Sequence, residues 1–322
     1  MKLKRIELLF FRNLHQQTLT LGPNKNYFIG ENAQGKTNFL EAVFFLRNGK
    51  SFRPTESKSL IQLHNDLSPP SAIARVAASF QHLNFGYQVK AQIQNSKKEF
   101  FLNQKKAYPR QLQSLIPMVL FSPESLGVIK ESSEQRRSLV DELVLSHDPR
   151  QARIMAEFSR ALRSRNALLK DISKLSVRED HVATLESLNQ IYLVLATHLT
   201  QMRLTALKRI WADFKEAIDF IFGETTAEVK FQYLISQEVA NDWNEDKIFS
   251  FMQRRMAELC LSEYGAGHSL VGPQKHDLKF LFDENDTRFY CSQGQQRALI
   301  LALKIAQIVY HQRVHQKYPS CF

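Results

Sequence analysis

The chain has 322 residues, 43% hydrophobic and 23% charged, the composition of a globular protein with room for two domains or one elaborate one. No apolar run is long enough to cross a bilayer, and Cys260, Cys291 and Cys321 lie far apart without a C-x-x-C pair, which argues against a zinc site and for free thiols in a reducing cytoplasm. A formal charge of +11 points to a polyanionic partner, although many soluble proteins are basic without one.

Residues 3–14 alternate loosely and predict an opening strand that runs into Phe11-Arg12-Asn13. The start is basic, but its apolar stretch stops at Phe11 with no small-residue cleavage site, so no secretion signal is expected. Leu19-Thr20-Leu21 and Tyr27-Phe28-Ile29 read as short strands, the second ending at Gly30.

Gly30-Glu31-Asn32-Ala33-Gln34-Gly35-Lys36-Thr37 then matches the phosphate-binding pattern G-x-x-x-x-G-K-[ST]. Its glycines let successive backbone N–H groups face a concavity sized for phosphate oxygens. Lys36 can set a cation on the β- and γ-phosphates, and the Thr37 hydroxyl can coordinate Mg²⁺. From Asn38 to Leu46 apolar residues recur at helical spacing without a breaker. Strand, loop and helix in this order aim a helix N-terminus at an anion.

Asn48 to Pro54 is turn-rich and basic, and from 72 to 93 the period changes to two. Tyr87, Val89, Ala91 and Ile93 alternate with polar residues, so 60–106 is expected to form an antiparallel sheet layered on the nucleotide core. Pro117 to Glu124 reads as an apolar strand closed by a proline-marked turn.

Residues 134–219 have helical periodicity, with one stripe through Leu188, Ile191, Tyr192, Leu195 and Leu199. A second runs through Phe158, Leu162, Leu169 and Ile172, interrupted by Arg165, with Arg160, Arg163, Lys170 and Lys174 opposite. Those cations read either as a solvated face or as phosphate contacts. The helical region is expected to close near Glu263, and a hairpin to turn at Asp283–Asp286 between Phe280-Leu281-Phe282 and Phe289-Tyr290.

Ser292-Gln293-Gly294-Gln295 opens a last helix patterned by Leu299, Leu303, Ala306 and Tyr310 and reaching about Lys317. Ser292 is well placed as an N-cap, and the same hydroxyl, free N–H groups and helix dipole suit an anion. Alone, the tetrapeptide reads more readily as a plain cap.

Seven stretches together resemble the RecF family of bacterial recombination and repair proteins, whose ATPase heads are related to the SMC and ABC types. They are Phe11 to Leu14, Gly30 to Ala42, Lys50 to Arg53, Phe121 to Glu124, Arg136-Arg137 with Asp141, Leu270 to Pro273, and Ser292 to Arg297, in the family's order. The resemblance implies an α/β fold: an ABC/SMC-like P-loop ATPase head (1–120 and 265–322) with an added antiparallel sheet and an inserted helical arm domain (121–264). It implies ATP and Mg²⁺ as cofactors, Arg12 and Asn13 beside the nucleotide, and Ser292 to Gln295 on the γ-phosphate held by a second protomer in an ATP-dependent homodimer. DNA, single-stranded and gapped duplex, would be the substrate, RecO and RecR the partners, and recombinase loading, replication support and SOS induction the role, in the cytoplasm.

Three departures stand out. The family usually has Gly-Pro-His-Arg and an acid where this chain has Gly272 to Asp277, and a Gly-x-Pro where it has Glu131-Ser132-Ser133. No apolar strand ending in acidic residues, the Walker B element, follows the last helix before Phe322, so hydrolysis is doubtful and an open core is expected. Phe280 to Glu284 and Leu139 to Glu142 mimic that pattern but precede the Ser292 element. The alternatives are a remnant that binds DNA or RecR without using ATP and, more remotely, a transporter cassette.

Overall fold

A computed structural model describes residues 2–53, 55–62, 73–82, 85–94, 96–122, 127–174, 179–223, 228–316 and 318–322. The chain divides into two compact units, residues 1–124 with 317–322, and residues 125–316. Residues 265–316, expected to complete the N-terminal head, therefore group with the helices.

In the first unit, β1 (Lys2–Phe11), β2 (Leu14–Thr20), β3 (Ile73–His82), β4 (Phe85–Gln94), β5 (Lys97–Leu102) and β6 (Lys105–Ala107) form one antiparallel sheet in the order β2-β1-β3-β4-β5-β6. The period-two pattern has its cause here: Val89, Ala91 and Ile93 are buried while Gln88 and Gln94 are exposed. Their core partner is helix α1 (Lys36–Asn48), which buries Phe39, Ala42, Val43, Phe45 and Leu46 in the same cluster. The Phe45 ring lies 6.0 Å from Phe11 and 5.7 Å from Phe100, locking helix to sheet. Helix α2 (Pro109–Leu115) follows, then β7 (Met118–Val119), which pairs in parallel with Ser320–Cys321. The turn expected at Pro123 lies outside the described residues.

Tyr27-Phe28-Ile29 is not a strand. An extended segment becomes one only when a neighbour takes its ladder hydrogen bonds, and no described segment pairs with it. Its side chains are correspondingly exposed, Tyr27 by 79% and Ile29 by 95%.

The second unit is built on α3 (Ser133–His147), α4 (Ala152–Lys174) and the 44-residue α5 (Glu179–Phe222). The buried stripe of α5 takes Leu185, Tyr192, Leu193, Ala196 and Leu199, whereas Ile191 is 57% exposed. Two strands interrupt the region expected to be wholly helical. β8 (Val229–Ile235) buries Val229, Phe231, Tyr233 and Ile235 at period two and has β9 (Glu238–Val239) on one side. Helices α6 (Glu245–Glu258) and α7 (Cys260–Ala266) lead to β10 (Asp277–Phe282), which pairs with β8 and with β11 (Asn285–Asp286). The hairpin turns at Asp283-Glu284, both at positive φ (49° and 62°). Its second strand ends at Asp286, because Asp286 caps a helical turn over Thr287–Tyr290 instead of continuing to Phe289-Tyr290. Helix α8 (Gln293–His315) closes the unit against α5.

Burial sets a pH response in this unit. The His147 ring packs edge-on to Tyr310, and burial, reinforced by Arg209, pulls its pKa down from 6.5 to about 4. His276, also buried, is held well below 6.5 by burial and then by Arg203 and Arg137. Above pH 6.5 both histidines are neutral folded or unfolded and contribute nothing. As pH falls below that value the unfolded chain takes up protons the folded one refuses, so stability drops by at most about 1.4 kcal/mol per pH unit per histidine. The Tm is expected to fall between pH 7 and 5, less steeply in His147→Gln; equal slopes would contradict the assignment.

Candidate nucleotide site

Helix α1 begins at Lys36, behind Gly35 in the left-handed region at φ 93°. A Cβ on Gly35 would sit 2.6 Å from Leu14 and 2.9 Å from the Asn13 amide oxygen, so only glycine fits. No side chain caps this helix and no acid lies in its first turn. By contrast, Asn244 caps α6 and Ser292 caps α8. The first turn of α1 thus keeps N–H groups and a dipole for an external anion.

The loop's ends are tied by one cation. Lys36 Nζ donates to the carbonyl oxygens of Gly30 (2.7 Å) and Glu31 (2.6 Å), and so stands across the concavity. The middle is pinned from the β1–β2 turn: Asn13 donates to the Ala33 carbonyl at 2.8 Å and accepts from the Asn38 amide at 2.8 Å. Thr37 and residues 30–34 are exposed, and nothing lies within 4 Å of a Cβ placed on Gly30. This donor set fits a nucleotide triphosphate with Mg²⁺: uncapped N–H groups and Lys36 for phosphate oxygens, the free Thr37 hydroxyl for the metal.

Arg12 does not reach the loop. Its guanidinium grips Glu41 through two bonds (2.7 and 3.1 Å) and donates to the Ser59 carbonyl at 3.0 Å. Glu41, fully buried, also accepts from Ser51 Oγ at 2.5 Å and from Arg53 at 3.3 Å, while Arg53 donates to Asn38 at 3.0 Å. Glu41, Ser51, Arg53 and Asn38 thus form a layer beneath the loop. All four lie in the stretches that resemble the family, outside the phosphate-loop pattern itself. The signal was Glu41 itself, a carboxylate on the apolar face of α1, which must be paired with a cation to be buried.

Of the residues the resemblance sets around the nucleotide, Gly30 to Thr37 and Asn13 come together in the first unit, and Arg12 lies in the same unit but is turned to Glu41. Ser292 to Gln295 belong to the second. Ser292 Oγ accepts from the Gln295 N–H at 3.2 Å, and Gln295 Oε1 accepts from the Ser292 N–H at 2.8 Å, a reciprocal capping box. The plain-cap reading is therefore right locally, and the Ser292 O–H hydrogen is left to donate. Both Walker B mimics are engaged elsewhere: Asp141 with Arg203, Glu142 with Lys304, Asp283 with the Glu228 N–H, and Glu284 with Lys230. Among the described residues no group of three or more metal-ligating side chains gathers.

A family model for the RecF/RecN/SMC N-terminal domain matches residues 2–322. The chain is 32% identical over 321 residues to the DNA replication and repair protein RecF of Crocosphaera subtropica, covering 96% of this chain and 81% of that one. It is 31% identical over 317 residues to RecF of Microcystis aeruginosa, with the same coverage. The chain belongs to the RecF family. Two solved RecF structures, described as the recombination mediator protein in the RecFOR pathway, share its fold. The RecF–ATP structure superposes with a TM-score of 0.88 at 26% identity, covering 99% of this chain and 83% of that one. The RecF–ATPrS structure superposes at 0.85 and 25% identity, covering 99% and 84%. The fold is therefore the RecF-type P-loop ATPase head, an α/β fold with an antiparallel sheet and added helices, as the resemblance implied. RecF membership places the chain among DNA replication and repair proteins. No helix among the described residues is long and apolar enough to cross a membrane.

Proposed function

We propose that this RecF-family chain binds ATP with Mg²⁺ on the Gly30–Thr37 loop and couples it to DNA binding in recombinational repair. The uncapped start of α1 with Lys36 standing across the loop is the observation that carries the reading. Bound ATP would supply a polyanion on which a second copy can close. Gly30 to Thr37 would hold the phosphates, with Thr37 on Mg²⁺, while Asn13 pins the loop and Arg12 holds the Glu41 layer beneath it. Ser292 to Gln295 of another protomer would donate to the γ-phosphate. The DNA would be single-stranded or gapped duplex, met in the cytoplasm with RecO and RecR, in support of replication, SOS induction and recombinase loading at single-strand/duplex junctions. The names of the related proteins and structures, DNA replication and repair protein and recombination mediator in the RecFOR pathway, support the repair part of this role. Turnover is expected to be slow, since Asp141, Glu142, Asp283 and Glu284, the carboxylates in Walker B-like runs, are engaged in ion pairs and a turn.

Sedimentation velocity tests the dimer. The parent chain is expected to dimerise only with ATP–Mg²⁺, and Ser292→Asp to stay monomeric. Aspartate caps a helix as well as serine, so the Tm should hold while the added charge repels phosphate. A parent chain that stays monomeric with ATP–Mg²⁺ would contradict the reading. One observation favours a nucleotide-independent reading: Arg160, Arg163, Lys170 and Lys174 are all exposed on α4, a surface open to DNA in any nucleotide state.

A further inference from the structure

The six-stranded sheet has a second face, turned to solvent. Strand alternation places Arg5 and Glu7 of β1, Arg75, Ala77 and Ser79 of β3, Lys90 of β4, Glu99 and Phe101 of β5 and Lys106 of β6 on it, opposite the buried core positions. The register makes Ala77, Lys90, Phe101 and Lys106 one continuous row across four strands. Lys90 Nζ lies 5.6 Å from the centre of the Phe101 ring.

The charges on this face are unevenly matched. Arg5 pairs with Glu7 at 2.8 Å and Lys106 with Glu99 at 3.2 Å. Arg75 and Lys90, on adjacent strands, have no carboxylate within ion-pair distance among the described residues. Partial burial and then the Arg75 charge hold the Lys90 pKa down, the mark of a cation without its anion. Small side chains at Ala77 and Ser79, flanked by Arg5, Gln88, Lys90 and Phe101, leave a concavity of about 560 Å³ in the middle of the face.

We propose that this face binds single-stranded nucleic acid, with a base stacked on Phe101 and the flanking phosphates taken by Lys90 with Arg75 on one side and by Lys106 on the other. Strands about 4.8 Å apart set the backbones at Lys90 and Lys106 about 10 Å from each other, one on each side of the Phe101 strand. An aromatic between cations on an open sheet suits an unpaired strand, whose bases are free to stack. A duplex keeps its bases stacked inside and offers Phe101 nothing. The inference rests on the DNA-binding part of the proposed function and is independent of the Lys36 site.

Anisotropy of a labelled 20-nucleotide oligo(dT) and of a duplex of equal length, titrated with the full chain, tests it. Phe101→Ala is expected to weaken oligo(dT) binding about tenfold, Phe101→Trp to preserve it, and both to leave duplex binding unchanged. Arg75→Glu with Lys90→Glu should weaken oligo(dT) binding further and flatten its salt dependence. Unchanged oligo(dT) affinity in variants whose circular dichroism matches the parent would overturn the proposal, as would equal losses on duplex. Each variant's ATP affinity, read in parallel, separates a failure of this face from a failure of the nucleotide site.

Discussion

Replacing Lys36 with alanine is expected to weaken ATP–Mg²⁺ binding about 10- to 100-fold, read by titration calorimetry, and to leave the Tm within error of the parent. Charge-assisted hydrogen bonds contribute about 1.5–3 kcal/mol each, which sets that range. Lys36 Nζ is the cation already standing across the loop, on the carbonyls of Gly30 and Glu31. Those two bonds are exposed, so losing them should change folding stability by no more than about 0.5 kcal/mol. Any slow phosphate release by the parent should vanish with the variant. Affinity unchanged in Lys36→Ala would mean that nucleotide binds elsewhere.

The largest stability effect is expected at Glu263. Its carboxylate and the Arg165 guanidinium form a two-bond pair (2.5 and 3.2 Å), and both residues are 1% exposed. Arg165 also donates to Ser269 Oγ and Asn189 Oδ1, at 2.7 Å each, and lies 5.2 Å over the Tyr192 ring. Glu263 in turn accepts from the Leu270 N–H at 2.7 Å. The pair therefore ties α4, α5 and α7 to the segment that carries Ser269 and Leu270. Glu263→Ala strands a buried cation, which costs about 3–5 kcal/mol. The urea midpoint should fall accordingly, and the double variant Arg165→Met, Glu263→Leu should recover much of the loss by removing both charges. An unfolding free energy of Glu263→Ala within about 1 kcal/mol of the parent would contradict this reading of the pair.

These two sites show what the sequence could carry and what it could not. The phosphate loop was legible because its chemistry is local: eight consecutive residues specify turn, cation and hydroxyl. The sheet was legible because one buried face imposes period two on Val89, Ala91 and Ile93. Arg165 was visible only as a blemish in an apolar stripe, since its partner lies 98 residues away and no spacing rule links them. Glu41 was hidden for the same reason, its cations coming from Arg12 and Arg53 on either side of α1. Tyr27 to Ile29 had strand composition but no partner to pair with. β8 alternates plainly at Val229, Phe231, Tyr233 and Ile235, but the long helical pattern upstream masks it.

ATP dependence of DNA binding tests the central claim most directly. A labelled gapped duplex is titrated at fixed ionic strength with the parent chain without nucleotide, with the parent and ATP–Mg²⁺, and with Lys36→Ala and ATP–Mg²⁺. Affinity is expected to rise about tenfold or more with ATP in the parent and not at all in the variant, a coupling of ordinary allosteric size. Equal affinity in all three titrations would contradict a nucleotide-coupled DNA-binding protein and favour nucleotide-independent binding, as through the basic face of α4.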